Sequence, residues 1–159
     1  TKKGKKKIAL ISPIHETTIG QDRFRGYKDA LKSENLKFDE DLYIRLSRDE
    51  DKIIESEISK LCLSNKIDSI ICIEQITTVA IHRLVQKLGK NIPDEISIIG
   101  FTDGPLFKYT NPSITSLDQH GEYFGKLSAK LIVQRIEGKI GEKFIHEKIP
   151  CSIVERNST

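Results

Sequence analysis

The sequence lacks several residue types and patterns that mark particular classes of protein. Its 159 residues contain no tryptophan and no methionine, and only 6% are aromatic. Proteins that bind single-stranded nucleic acid stack the bases on aromatic side chains set among basic ones, and this chain shows no such interleaving. No apolar run approaches the ~20 residues of a membrane span or the core of a signal peptide. We therefore expect a cytoplasmic protein with no membrane partner.

Cysteine is scarce, and the residues that usually hold metals are dispersed. The three cysteines, Cys62, Cys72 and Cys151, lie in separate apolar segments and form no C-x-x-C pair. The four histidines lie in different segments, at His15, His82, His120 and His146, and we expect surface or polar-core roles for them. The pattern predicts reduced, buried thiols, no disulfide framework, no metal site and no cofactor.

An excess of positive charge is confined to one end of the chain. The formal net charge is +3, but the first seven residues, TKKGKKK, supply five lysines. Without these, 21 of the 26 basic residues remain against 23 acidic ones. A nucleic-acid surface needs cations clustered along one face. We interpret the lysine run as a solvated segment before a strand and expect no direct DNA contact from this chain.

Catalytic motifs with defined mechanics are absent. The sequence has no G-x-S-x-G, P-loop, H-E-x-x-H or G-x-G-x-x-G pattern. Asp49, Glu50 and Asp51 look like a metal triad, but acids at the start of a helical segment are more typical of a helix cap. We therefore predict that the chain is not an enzyme.

Short apolar runs alternate with segments of helical period. The runs lie at residues 7–12, 42–46, 68–73 and 96–101, and the helical segments lie at 20–35, 49–63 and 75–88. Strands that alternate with helices form parallel sheets through right-handed crossovers. The pattern predicts an α/β fold, a doubly wound parallel sheet flanked by helices.

A polar loop containing Pro105 and Pro112 follows the fourth strand. It is long enough to be functional rather than a plain connection. Small ligands bind beyond the carboxyl ends of the strands in doubly wound sheets. We therefore expect a site at this loop and at the segments 12–21, 47–50 and 74–77.

The sequence continues beyond what a four-stranded unit needs. SITSLDQ predicts a strand, and apolar residues at helical spacing from Tyr123 onward predict a helix that ends near Gly138. FIHEKIP and SIVER then predict two further strands separated by Pro150. Such a tail would cross to a neighbouring lobe and return.

Three motifs occur in an order that indicates one family. R-x-x-G-[FY] occupies Arg23 to Tyr27, IPDEISIIGF occupies Ile92 to Phe101, and P-x-[IL]-T-[ST] occupies Pro112 to Ser116. In this order and spacing the chain resembles the C-terminal part of a transcription regulator of the lactose-repressor (LacI/GalR) family. The resemblance covers nearly the whole sequence.

The resemblance implies one lobe of a periplasmic-binding-protein-like core of type I. Residues 1–118 would be its C-terminal lobe, 119–150 a crossing helix and strand that pack on the N-terminal lobe, and 151–159 a returning strand and tail. The implied function is effector sensing and dimerisation, with DNA bound only through an N-terminal head that this chain lacks. The alternative is a solute-binding protein of a sugar transporter, which shares the architecture. A third class, a small α/β enzyme, would need a set of catalytic residues that the sequence does not show.

The resemblance also implies which residues bind the effector, a sugar or sugar derivative. Arg23 matches the family position from which a guanidinium reaches the ligand, and a surface ion pair is the alternative role. The family has an acid where Thr102 stands and commonly an Asn-Asp pair where Ile73 and Glu74 stand. These departures argue against a simple free sugar. The predicted ligand-binding residues are Ser12, Arg23, Glu74, Thr102, Asp103 and Gln119.

A homodimer is implied as well. Family members pair through the helix at 75–88 and the loop after the fourth strand. We therefore expect Ile81, Val85 and Tyr109 near a two-fold axis, with core packing as the alternative for Ile81 and Val85.

Overall fold

The part of the chain that the structure describes, residues 1–46 and 54–159 of a computed structural model, forms one sheet with helices around it. Its strands are β1 (Ile8–Ser12), β2 (Tyr43–Arg45), β3 (Ser69–Cys72), β4 (Ser97–Phe101), β5 (Thr115–Asp118) and β6 (Ser152–Val154). Its helices are α1 (Thr18–Ser33), α2 (Ser59–Leu63), α3 (Gln75–Lys87), α4 (Leu106–Tyr109) and α5 (Gly121–Ile136). A 3-10 turn at Glu40–Leu42 precedes β2, and a π-helical turn at Ile54–Ile58 precedes α2.

The strands lie in the order β2-β1-β3-β4-β5-β6. The first five of these pair in parallel, and β6 runs antiparallel to β5. Since the order changes direction at β1, α1 covers one face of the sheet while α2 and α3 cover the other. This arrangement confirms the predicted doubly wound α/β fold. The carboxyl ends of the parallel strands therefore meet at one edge.

Apolar side chains on both faces of the sheet are buried beneath the helices. One face carries the cluster of Leu10, Tyr27, Leu31, Tyr43 and Ile73, which joins α1 to the sheet. The other face carries a larger cluster, which joins α2 and α3 to the sheet and includes Ile11, Ile58, Ile70, Ile81, Val85 and Ile98. Each fully buried aliphatic side chain contributes about 1.5–3 kcal/mol, so these clusters supply most of the driving force for folding.

Two sequence-based expectations are corrected by this packing. Ile81 and Val85 are fully buried in the larger cluster, so core packing accounts for them and they are not available to a second copy of the chain. Tyr109 is the member of the predicted dimer set that lies at the surface, with 85% of it exposed. Cys62 and Cys72 are buried as expected, but Cys151 is exposed because it lies in the tail just before β6.

Most predicted elements are present, with boundaries that local hydrogen bonds decide. The first helix begins at Thr18 rather than at Gly20, because Thr17 Oγ1 accepts a hydrogen bond from the Gly20 amide at 3.0 Å and caps the helix there. The second strand is shorter than expected, because Leu42 belongs to the 3-10 turn that precedes it. The predicted segment 47–50 and the acidic run at 49–51 lie outside the described residues.

The predicted strand FIHEKIP does not form, and the segment has no regular secondary structure. No strand is paired with it among the described residues, and Phe144 is 87% exposed. The preceding helix α5 is present as predicted, but none of its residues is buried. This helix and the segment after it therefore lie outside the buried core of the sheet.

The loop after β4 is anchored by an aromatic side chain. It contains α4, whose Phe107 is fully buried. The Phe107 ring lies where a β-carbon on Gly100 would stand, since a methyl group added there would meet ring carbons at 2.4 Å. Gly100 in β4 thus leaves room for the residue that holds the loop against the sheet.

We expect Gly100→Ala to destabilise the protein by about 1–3 kcal/mol, because the new methyl group has to displace Phe107 and Thr78 in a close-packed core. The matched control is Gly125→Ala in α5, where a β-carbon would meet no atom within 4 Å. Alanine favours a helix over glycine by about 1 kcal/mol, so this control is expected to be neutral or stabilising. Urea unfolding measures both. Equal stability of the two variants would contradict the anchoring role of Phe107.

Candidate functional site

A cavity of about 440 Å³ lies at the carboxyl ends of β4 and β5. Its lining includes Gln75, Thr102, Asp103, Asp118, Gln119 and Phe124. A larger depression of about 730 Å³ lies at the opposite edge, where Lys6, Lys37 and Lys66 line it. Ligands of doubly wound sheets bind at the carboxyl edge, so we take the smaller cavity as the candidate site.

Arg23 reaches the same edge from α1. Its Nη1 donates a hydrogen bond to the Ile73 carbonyl oxygen at 2.9 Å, and its guanidinium carbon lies 4.4 Å from the centroid of the Phe101 ring. Burial lowers the pKa of the guanidinium, and the nearby Cys151 opposes that shift. The cation–π contact and the carbonyl hold Arg23 in place while leaving it other donors.

The surface ion pair considered for Arg23 does not form. Asp22 pairs instead with Arg25, whose Nη2 lies 2.9 Å from Asp22 Oδ1. Glu16 is 90% exposed and lies 3.9 Å from the ring of His15. Arg23 is therefore oriented by the ends of β3 and β4, at the edge where its ligand-binding role is predicted.

Glu74 caps α3. Its Oε1 accepts a hydrogen bond from the Ile76 amide at 3.0 Å, and its Oε2 accepts from the Thr77 amide and hydroxyl at 2.8 Å and 2.9 Å. Burial opposes ionisation of the carboxyl, but these hydrogen bonds outweigh it and lower the pKa of Glu74. Both carboxylate oxygens are thus engaged by the helix, which gives Glu74 a structural role whether or not it also meets a ligand.

Thr102 and Asp103 are neighbours with different environments. Thr102 is exposed, has a φ of +69°, and donates its hydroxyl to the Phe101 carbonyl oxygen. Asp103 is ion-paired with Arg156 and accepts a hydrogen bond from Ser116 Oγ at 2.8 Å. Both residues line the cavity, together with Gln119.

Ser12, the remaining predicted ligand residue, lies at the carboxyl end of β1. It is fully buried, and its hydroxyl has no hydrogen-bond partner among the described residues. Its carbonyl oxygen accepts hydrogen bonds from the Leu46 amide at 3.1 Å and from His15 Nδ1 at 3.3 Å. A buried hydroxyl without a partner is rare and costs free energy, so Ser12 retains an open hydrogen-bonding capacity at this edge.

The structure brings some predicted residues together and adds others. Thr102, Asp103 and Gln119 share the cavity, while Arg23 and Ser12 lie at neighbouring strand ends. Gln75 lies in the predicted segment 74–77, whereas sequence reasoning missed Asp118, Phe124 and Arg156. Asp118 lies in the predicted strand SITSLDQ and was within reach of the strand-edge rule. Phe124 lies in the following helix, and nothing in the sequence connects Arg156 with Asp103.

His82 fastens the loop after β4 to α3. It is 1% exposed, and its Nε2 donates a hydrogen bond to the Pro112 carbonyl oxygen at 3.0 Å. Gln86, one turn later, donates to the Asn111 carbonyl oxygen at 2.5 Å. Burial lowers the pKa of His82, so the ring is neutral near pH 7. This places His82 in the polar core, as predicted.

Comparisons with known proteins bear on the whole chain. A sequence profile of the periplasmic binding protein-like domain matches residues 1–159. The chain belongs to this family. The match agrees with the strand order and with the cavity at the carboxyl edge.

The curated proteins that this chain is similar to include transcription regulators. The HTH-type transcriptional regulator CelR of Thermobifida fusca is 25% identical over 139 residues, which are 87% of this chain and 41% of that protein. The HTH-type transcriptional repressor PurR of Vibrio campbellii is 27% identical over 151 residues, which are 95% of this chain and 45% of that protein. The chain thus spans less than half the length of these relatives.

A solved structure supports the same assignment. The periplasmic binding protein/LacI transcriptional regulator from Alkaliphilus metalliredigens, complexed with D-xylulofuranose, superimposes with a TM-score of 0.84 at 25% identity. The match covers 99% of this chain and 58% of that one. The resemblance to the effector-binding part of LacI-type regulators is thereby confirmed, and it is favoured over a solute-binding protein of a transporter.

Within residues 1–46 and 54–159, no group of three or more histidine, cysteine, aspartate or glutamate side chains has an arrangement that could hold a metal ion. None of the helices in that part of the chain is long and apolar enough to cross a membrane.

We expect the lowered pKa of His82 to make the protein less stable as the pH falls. Below pH ~6.5 the unfolded chain takes up a proton that the folded chain does not, so up to ~1.4 kcal/mol is lost per pH unit, whereas stability is unaffected above pH ~7. His82→Gln keeps a donor for Pro112 but cannot be protonated, so it flattens this dependence. Urea midpoints at pH 5 and pH 7.5 measure the slope.

The control for this experiment is His146→Gln, which replaces an exposed histidine in the tail. The pKa values of Glu74 and Asp103 are lowered, so the stability linked to these two carboxyls is lost only below the ordinary carboxyl range of about 4. A slope that persists in His82→Gln would show that another group causes the loss.

Proposed function

We propose that this chain is the effector-binding and dimerisation part of a LacI-type transcription regulator. The observation that carries the proposal is the family match over residues 1–159 combined with a cavity at the carboxyl edge of the sheet. Relatives that align over most of the chain are regulators by name. DNA would be bound by a separate N-terminal head, and the regulator would act in the cytoplasm without catalysing a reaction.

The chemistry of the cavity suits a sugar or sugar derivative. Phe124 is 60% exposed and offers a ring face, while the amides of Gln75 and Gln119 and the hydroxyl of Thr102 offer hydrogen bonds. Sugars have apolar ring faces and many hydroxyl groups, which such a mixture matches. The relative from Alkaliphilus metalliredigens was solved with a sugar, D-xylulofuranose.

Charges at this edge favour an effector with an acidic or acceptor-rich group. The carboxylates of Glu74, Asp103 and Asp118 are engaged by the α3 cap, by Arg156 and by His120. Among the described residues, Arg23 donates one hydrogen bond, from Nη1 to the Ile73 carbonyl, so its other guanidinium donors are available to a ligand. The effector we propose is therefore a sugar derivative whose oxygen atoms accept hydrogen bonds from Arg23.

The crossing helix α5 is proposed to complete the cleft by packing on a first lobe. None of its residues is buried, and its large exposed apolar residues are Tyr123, Phe124, Ile132, Val133 and Ile136. Five large exposed apolar side chains on one helix are unusual on a monomeric surface and indicate a covering partner. The first lobe that the family resemblance implies would supply this partner, and the effector would lie between the lobes.

A homodimer is proposed through the loop that carries α4. Tyr109 is 85% exposed at the end of α4, and the loop is rigidly held by Phe107, His82 and Gln86. A rigid, exposed aromatic side chain is a common anchor of a two-fold interface.

We expect Arg23→Ala to weaken effector binding in the intact regulator. The loss is about 2–4 kcal/mol for a sugar acid or sugar phosphate, because a buried charge-assisted partner disappears, and about 1 kcal/mol per hydrogen bond for a neutral sugar. The control is Arg25→Ala, since Arg25 is exposed and pairs with Asp22. Calorimetry against a panel of sugars, sugar acids and sugar phosphates measures both variants. Unchanged affinity in Arg23→Ala would remove Arg23 from the site.

We expect Tyr109→Asp to weaken the dimer at least tenfold, because a charge would be buried at the axis (~1.4 kcal/mol or more). Sedimentation velocity over a concentration series measures the dissociation constant. The control is Leu63→Asp, which introduces the same charge at a residue that is 59% exposed on α2. A wild-type protein that stays monomeric, or equal effects of the two variants, would refute this interface.

A further inference from the structure

Arg156, in the tail after β6, makes a connected set of side-chain contacts beneath the loop that follows β4. Its Nη1 donates to the Ile114 carbonyl oxygen at 2.8 Å and to Ser116 Oγ at 2.9 Å. Its Nη2 is paired with Asp103 Oδ1. Ser116 Oγ closes the set by donating to the same carboxylate oxygen at 2.8 Å.

The ion pair is shielded from water on both sides. The side chain of Arg156 is 12% exposed and that of Asp103 is 16% exposed. Burial opposes ionisation of Asp103, but hydrogen bonds from Arg156 and Ser116 outweigh it and lower its pKa. Breaking a pair of this kind by removing one partner is strongly destabilising for the group that remains, so the two side chains are held together.

The backbone of the tail is fixed to the sheet. The Arg156 amide donates to Thr115 Oγ1 at 2.9 Å, and Ser158 Oγ donates to the Ile98 carbonyl oxygen at 2.6 Å. The amides of Thr115 and Ile98 donate to Ser158 in return, at 2.8 Å and 2.9 Å. These bonds tie the tail to β4 and β5, so the guanidinium of Arg156 projects from a rigid base.

The turn that Arg156 holds needs an anchor. Thr102 has a φ of +69°, which a β-branched residue adopts only where the surroundings impose it. Gly104 lies close to the side chain of Gln75: a β-carbon added to Gly104 would lie 1.9 Å from Gln75 Nε2. Thr102 therefore faces the cavity in a conformation that is set by its neighbours on either side. Of these neighbours, Asp103 is the one with a buried charged partner, Arg156.

We propose that Arg156 is a positioning residue of the cavity: it acts through Asp103 to hold the turn 101–104, and so connects the C-terminal tail with the wall of the site. That the cavity binds an effector rests on the function proposed above, whereas the effect of Arg156 on the turn does not. In this proposal Asp103 supports the turn, and its neighbour Thr102 contacts the ligand.

Amide hydrogen exchange on the whole protein tests this role. The reporter is the Phe107 amide, which donates to the Gly104 carbonyl oxygen at 3.2 Å within the loop, and the reference is the ladder of β3. We expect Arg156→Met to speed exchange at Phe107 at least tenfold while the β3 amides keep their protection. Arg156→Lys retains the charge and is expected to recover part of that protection.

The control variant is Arg135→Met. Arg135 also donates to backbone carbonyl oxygens, those of Glu142 and Lys143, but it lies on α5 away from the turn. Asp103→Asn provides a second route to the same contact if Arg156→Met folds poorly. We expect it to speed Phe107 exchange as well, and the double variant to be no faster than the faster single variant, because both remove one interaction.

A second measurement follows the Asp103 carboxyl by NMR during a pH titration. In the wild type its pKa lies below the ordinary value of ~3.9, and Arg156→Met is expected to raise it. Unchanged Phe107 exchange in Arg156→Met, or loss of protection that is equal in β3, would overturn the positioning role. So would an Asp103 titration that does not respond to the substitution.

Calorimetry with D-xylulose and with a panel of sugar acids and sugar phosphates separates the two proposals. If the wild type binds one of these, Arg156→Met is expected to weaken binding at least fivefold and Arg135→Met to leave it unchanged. Equal affinity in Arg156→Met would overturn the link between the turn and the site. If the wild type binds none, the proposed effector class fails, and the exchange and titration results still decide the role of Arg156.

Discussion

A parallel sheet has to be covered on both faces, because its strands are joined by crossovers and each strand is a nearly continuous apolar run. Here α1 covers one face and α2 and α3 cover the other. The change of direction at β1 that makes this possible also brings the carboxyl ends of the parallel strands to one edge. The position of the candidate site is a consequence of that packing.

Loops at this edge are unusually well held. Phe107 fills the space above Gly100, His82 binds the Pro112 carbonyl, and Arg156 pairs with Asp103. Each contact uses a buried group, so removing one partner costs more than losing an exposed contact of the same kind. A site built on such a loop keeps its shape before a ligand arrives, which reduces the entropy lost on binding.

The engaged carboxylates change how the site is understood. Glu74 and Asp103 are predicted ligand-binding residues, but one caps α3 and the other pairs with Arg156. Among the described residues, Arg23 keeps guanidinium donors beyond the one used for Ile73, and Phe124 keeps an exposed ring. These donors, beside carboxylates that already have partners, are the basis for proposing an acceptor-rich sugar derivative.

Local pattern determined the elements of this protein, and long-range contacts determined its site. Apolar periodicity and turn residues were sufficient for all six strands and for the helices α1, α3 and α5, because the position of each element depends mainly on residues close in sequence. The alternation of strands with helices was sufficient for the doubly wound α/β class. The same periodicity failed for FIHEKIP, since a strand needs a partner, and it could not separate the buried Ile81 and Val85 from a surface pair. The role of Asp103 was decided only in the folded chain, because Arg156 lies 53 residues away and meets it through the antiparallel return of β6.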